Sequence, residues 1–92
     1  MLFQCLRREK NQYKNGVFKT WYPNGVLENE VIYKNGKKEG KETYWYSNGI
    51  KKFIIFYKNG LKNGDYIEFD KKEKRKIWKF YNEGILQSEY NK

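Results

Sequence analysis

Apolar and aromatic positions come in short alternating runs, and glycine-bearing segments separate them. "TYWY" (43–46), "FIIFY" (53–57) and "WKFY" (78–81) are rich in Tyr, Trp, Phe and Ile, residue types that suit a pleated strand. "PNG" (23–25) and "SNG" (47–49) read as short hairpin signals, because Gly accepts the positive φ of primed turns. "KNGKKEG" (34–40) and "KNGLKNG" (58–64) read as longer turns with two glycines each. The pattern predicts eight strands, near 2–12, 17–22, 26–33, 41–46, 50–57, 65–70, 75–81 and 85–90. Short links make neighbours antiparallel and the chain a meander.

Alternation assigns faces. Thr43, Trp45, Ile67 and Phe69 fall on one side of their strands, and Ile54, Phe56, Trp78 and Phe80 form another set at equivalent positions. Phe53, Ile55 and Tyr57, with Val31 and Tyr33, point the opposite way, and Tyr44, Tyr46 and Tyr66 oppose the Trp45 set. Both faces carry aromatics, so cross-strand aromatic ladders are the expected source of stability.

The pattern repeats. Trp21, Trp45 and Phe69 are 24 residues apart, as are Tyr33, Tyr57 and Tyr81. Gly36, Gly60 and Gly84 keep the step, and Gly40 and Gly64 are followed at the same step by Ser88. Three units result, 21–44, 45–68 and 69–92. Tyr13-Lys14-Asn15-Gly16 lies only 20 residues before the next "YKNG". Residues 1–20 therefore read as a divergent N-terminal cap and a first repeat whose turn has lost four residues. Repetition at a fixed step favours an open, elongated sheet over a closed barrel.

Composition agrees. A chain of 92 residues has room for one domain, 1–92. There is no alanine and 20% of residues are aromatic, which disfavours helix and, despite 34% charged residues, disorder. Cys5 is alone, which precludes an intrachain disulfide and makes a cytoplasmic location the expectation. It reads as a small buried or edge residue rather than a reactive thiol. "MLFQCL" has no basic n-region or long apolar run, so no signal peptide is expected, and "FIIFY" is too short to span a bilayer.

"YKNGKKEGKETYWYSNG" (33–49), with its 24-residue step, resembles the MORN (membrane occupation and recognition nexus) repeat, and more closely its bacterial variant. The resemblance covers 13–92 and implies an all-β, elongated, single-layer antiparallel meander of about eight strands built from stacked β-hairpins. It also implies a scaffold or binding surface; bacterial variants are labelled antitoxin-like, and eukaryotic ones are linked to anionic lipids and protein assembly. The chain departs from the pattern in its first turn, at "DKKEK" (70–74) and at Ser88.

Candidate chemistry is sparse. There is no histidine, one cysteine and two aspartates, Asp65 and Asp70. No zinc cluster and no Ser–His or Cys–His pair can be assembled, and Ser47 and Ser88 sit in turns without a base. Glu42 and Glu68, or Glu28 and Glu30, offer carboxylate pairs of the glycosidase kind, but cross-strand charge pairing in a lysine-rich sheet explains them more simply. The glycine segments precede strands, not the helix a phosphate loop requires. The expectation is no catalytic, metal or cofactor-binding residue and no enzyme.

Net charge is +9, with 17 Lys and three Arg among the basic residues. This fits an acidic partner or merely a solvated surface, and Lys lacks the fork that makes Arg the preferred phosphate binder. The sharpest signal is "KKEKRKIWKFY" (71–81), where Lys71, Lys72, Lys74, Arg75, Lys76 and Lys79 interleave with Trp78 and Phe80. Lys34, Lys37, Lys38, Lys58 and Lys62 in the glycine turns form a second set, and Trp45 and Tyr46 add aromatic surface. The reading is a non-catalytic protein that neutralises or inhibits a partner protein, acidic or nucleic-acid-binding, in the manner of an antitoxin or a phage or mobile-element inhibitor of a host nuclease such as an anti-CRISPR. Direct nucleic-acid binding and an anionic-membrane scaffold are the alternatives, and exposed edge strands allow a homodimer.

Overall fold

The computed structural model describes residues 2–3 and 14–91. Among them are nine strands: β1 (Leu2–Phe3), β2 (Gly16–Trp21), β3 (Leu27–Lys34), β4 (Lys37–Lys38), β5 (Gly40–Trp45), β6 (Lys51–Lys58), β7 (Leu61–Phe69), β8 (Arg75–Asn82) and β9 (Ile85–Asn91). They form one open antiparallel sheet, β1-β2-β3-β5-β6-β7-β8-β9, with β4 folded back onto β3. This is the single-layer meander expected from the sequence; extents of 45 × 35 × 12 Å make it a thin plate. Cys5 and most of the strand expected over 2–12 lie outside the described residues.

The two turn classes are the reverse of the sequence reading. "KNGKKEG" and "KNGLKNG" hold the tight hairpins. Asn35 and Gly36, Asn59 and Gly60, and Glu83 and Gly84 all have positive φ, the requirement of a two-residue type I′ turn. Lys37 returns at once to pair with Lys34, and Leu61 with Lys58. The "PNG" and "SNG" turns have three-residue loops. The Gly25 N–H bonds the Tyr22 carbonyl, the Tyr22 N–H bonds the Val26 carbonyl, and Gly25 has φ 90°, a type I turn closed by a bulge.

The register also removes the apparent deletion. Gly16 opposes Tyr33, Gly40 opposes Tyr57 and Gly64 opposes Tyr81. Gly16 thus belongs with Gly40 and Gly64, not with Gly36, and the first repeat keeps the 24-residue step. The turns lock the repeats together. The N–H groups of Gly36, Gly60 and Gly84 donate to the carbonyls of Lys14, Lys38 and Lys62. One residue along, the N–H groups of Asn35, Asn59 and Glu83 donate to the side chains of Asn15, Glu39 and Asn63. Tyr22 and Tyr46 add staples at the other end of the strands, donating their hydroxyls to the carbonyls of Trp45 and Phe69.

A plate one layer thick can bury little. Among the described residues only Val31, Ile55, Glu42 and Thr43 are buried. Most aromatics are half-buried, so stability comes from ring pairs along the sheet as well as from a core.

Candidate binding faces

Directly opposed residues share a face, so the register sorts the side chains. One face is a tyrosine face. Phe18 meets Tyr33 edge-on at 5.3 Å between ring centroids, and a chain of rings runs Tyr44–Phe53–Tyr66–Tyr81 at 5.8, 5.8 and 6.4 Å. Lysines lie over the rings at the repeat step. Lys14 covers Phe18 and Tyr33, Lys38 covers Tyr57, and Lys62 covers Tyr66 and Tyr81. Each ammonium meets the negative ring face while its stem shields apolar surface.

Counted from the lysines Lys14, Lys38 and Lys62, the repeats begin at 14, 38 and 62, and the middle one differs from the first and the last. Glu42 stands in the column occupied by Phe18 and Tyr66, and it is 2% exposed. Its carboxylate accepts from Lys38 Nζ at 2.9 Å and Asn29 Nδ2 at 3.0 Å. Burial pushes the Tyr44 phenol up to about 12, with the Glu42 charge and hydrogen bond adding to the rise. Burial raises Tyr57 as well, against the opposing effect of Lys38. Lys38 is pulled down by its own burial, but the Glu42 hydrogen bond and charge, with Tyr57 and Tyr44, leave it raised overall. The group is a satisfied internal ion pair, since a buried carboxylate persists only when paired and hydrogen-bonded.

The other face is an isoleucine–tryptophan face. Ile54 opposes Ile67, which opposes Trp78, which opposes Tyr90; Phe80 opposes Asp65 and Ser88. The sets Thr43/Trp45/Ile67/Phe69 and Ile54/Phe56/Trp78/Phe80 therefore make one surface. Phe80 is 41% exposed, and the Trp78 indole N–H reaches Asp65 Oδ1 at 3.3 Å. A groove of about 500 Å³ at its margin is lined by Ile67, Phe69, Glu73, Lys74, Arg75 and Lys76. A second, of about 410 Å³, lies between Arg75, Trp78 and Tyr90.

The segment 70–74, where the Asn-Gly signal is lost, keeps the geometry of its counterparts. The Asp70 N–H bonds the Lys74 carbonyl and the Glu73 N–H bonds the Asp70 carbonyl, as in the other three-residue loops. Asp70 Oδ1 accepts from the backbone N–H groups of Lys72 (2.8 Å) and Lys74 (3.0 Å), which holds its carboxyl below the usual range. It does the work of Asn24 and Asn48, whose side chains accept from Val26 and Ile50. Glu73 takes the glycine position at φ 71°.

The residues singled out from the sequence do not form one site. Lys74, Arg75, Lys76, Trp78 and Phe80 gather around the isoleucine–tryptophan face, and Trp45 lies on that face. Lys72 is exposed in its turn. Lys71 lies 5.7 Å from the Tyr46 ring centroid, and Tyr46 is a staple between repeats. Lys79 is on the tyrosine face, 5.4 Å from the Tyr66 ring centroid. The second lysine set, from the glycine turns, divides too. Lys34, Lys37 and Lys58 are exposed around the tight turns, whereas Lys38 and Lys62 lie back over rings. Among the described residues β9 pairs only with β8, and Ile85 and Leu86 are exposed there. The Glu42 network and the Asp70 turn closure were not anticipated. The 24-residue step carried a signal for the first, a carboxylate in an aromatic column.

Among the described residues, no group of three or more His, Cys, Asp or Glu is placed to hold a metal ion. The family model of the MORN repeat variant matches residues 14–35 and 38–59, two segments at the 24-residue step. No curated protein and no solved structure matches the chain.

Proposed function

The chain belongs to the MORN repeat variant family, and from that premise we propose that it is a non-catalytic protein-binding plate that neutralises a partner, in the manner of an antitoxin or a nuclease inhibitor. One observation carries the reading: the isoleucine–tryptophan face is a broad apolar surface with no second layer over it among the described residues, and its margin holds Lys74, Arg75 and Lys76. Apolar surface with a charged rim is the anatomy of a protein interface. Aromatics at the centre supply affinity, and basic groups at the rim select an acidic surface and speed encounter. The partner proposed is accordingly a protein with an acidic patch, one that itself binds nucleic acid being the foremost case. Inhibition then needs no chemistry, only occupancy.

The test is a comparison of captures from the host. The wild-type chain is expected to retain a protein of acidic surface and to block that protein's activity. Arg75→Glu with Phe80→Glu should lose both. Equal capture by the variant would overturn the reading. Capture abolished by nuclease treatment would favour the rival in which Arg75, Lys76 and Trp78 hold nucleic acid directly, and that binding would weaken steeply with salt.

A further inference from the structure

We infer that the tyrosine face carries a second site, built by Lys62, Lys79, Tyr66 and Tyr81, that takes an Asp or Glu side chain from an acidic protein segment. The argument starts from the middle repeat. There the lysine of the column, Lys38, is met by the carboxylate of Glu42 at 2.9 Å, with a phenol ring beside it. At the same places in the last repeat the chain has Lys62, Tyr66 and Tyr81, and the aliphatic residue Ile55 is replaced by Lys79. The carboxylate is gone and a second cation has been added.

Both ammonium groups converge on one ring. Lys62 Nζ lies 5.2 Å and Lys79 Nζ 5.4 Å from the Tyr66 centroid, and Lys62 is also 5.1 Å from Tyr81. Two like charges over one ring repel, and an anion between them removes that cost. Among the described residues, neither lysine has a carboxylate within ion-pair distance. Glu89 opposes Lys79 in register and Glu68 acts on the Tyr66 phenol, but neither carboxylate is within ion-pair distance of Lys62 or Lys79.

The chemistry favours a carboxylate over a phosphate. Glu42 shows the fold accommodating a carboxylate in this column, and the site has two point-charge lysines rather than the arginine fork that suits phosphate. The inference stands apart from the reading of the isoleucine–tryptophan face, because it uses the opposite surface.

The experiment is an amide-resolved NMR titration of the intact chain with a short Glu- and Asp-rich peptide at low salt. Shifts are expected at Lys62, Tyr66, Lys79 and Tyr81. Lys62→Gln with Lys79→Gln should weaken binding about five-fold, the scale of two exposed ion pairs. Lys38→Gln should leave the affinity unchanged, because Lys38 is already paired. In the Arg75→Glu with Phe80→Glu variant the peptide should still shift the amides of Lys62, Tyr66, Lys79 and Tyr81, which separates this site from the proposed partner face. An unaltered affinity in the double Gln variant would overturn the inference. So would inorganic phosphate or single-stranded DNA shifting the same amides at lower concentration than the peptide.

Discussion

Replacing Glu42 separates two accounts of the tyrosine face. Glu42→Ala removes the acceptor for Lys38 Nζ and Asn29 Nδ2 and opens a hole in one of the few buried positions. Breaking a fully buried pair costs about 3–5 kcal/mol. That figure needs a discount here, because the Lys38 side chain is 29% exposed and can turn to water. Asn29 also keeps a bond to the Thr43 carbonyl at 3.2 Å. The expected loss is about 2–3 kcal/mol, a fall in Tm of roughly 10–20 °C for a domain of this size. Glu42→Tyr instead installs the residue that the last repeat has in this column. Lys38 would then lie over rings as Lys62 does, and the expected loss is within about 1 kcal/mol. Urea denaturation with a shared m-value measures both. Equal losses, or an Ala variant within about 0.5 kcal/mol of wild type, would refute the idea that the columns are interchangeable.

Other expectations follow from single residues. Glu73→Gly should stabilise by about 1 kcal/mol, seen as a rise of several degrees in Tm, because a non-glycine residue at φ 71° is strained. Gly64→Ala should cost more than Gly25→Ala by thermal melt, since both have positive φ but only at Gly64 would the new Cβ meet Phe56 Cβ, at 3.3 Å. Tyr46→Phe removes the hydroxyl bond to the Phe69 carbonyl and should cost about 1 kcal/mol. High pH should destabilise the chain, with Tyr44 among the raised phenols that contribute. The folded pKa of Tyr44, about 12, stands above the ordinary 10.0, so its contribution is complete below pH 10 and is lost as pH rises towards 12. Tm measured against pH, with tyrosinate absorbance in parallel, checks this; Tyr44→Phe should flatten the profile.

The strands and their order were legible because strand chemistry recurs at each copy and turn residues mark every break but 70–74. The turn classes were not, since "NG" occurs in both and only the returning partner distinguishes a two-residue hairpin from a three-residue loop. The same ambiguity paired Gly16 with Gly36 instead of Gly40 and suggested a deletion where none exists. At 70–74 the loss of Asn and Gly suggested a broken pattern. A single carboxylate, Asp70, restores the backbone bonds, and one residue, Glu73, accepts the strained φ. Which lysines face outward could not be read from composition. Lys38 and Lys62 share their turns with Lys37 and Lys58 but lie over rings, because they oppose Tyr33 and Tyr57 in register and so share the tyrosine face.

The central claim is that the isoleucine–tryptophan face, beside Lys74, Arg75 and Lys76, holds a partner protein. A photo-crosslinking phenylalanine analogue at position 80, introduced in the native host, tests it directly. The account predicts a crosslink to one acidic protein, lost when Arg75→Glu is added and absent when the analogue is placed at Lys34, exposed at a tight turn, instead. Crosslinks that are identical at 80 and 34, or that join only nucleic acid, would contradict it.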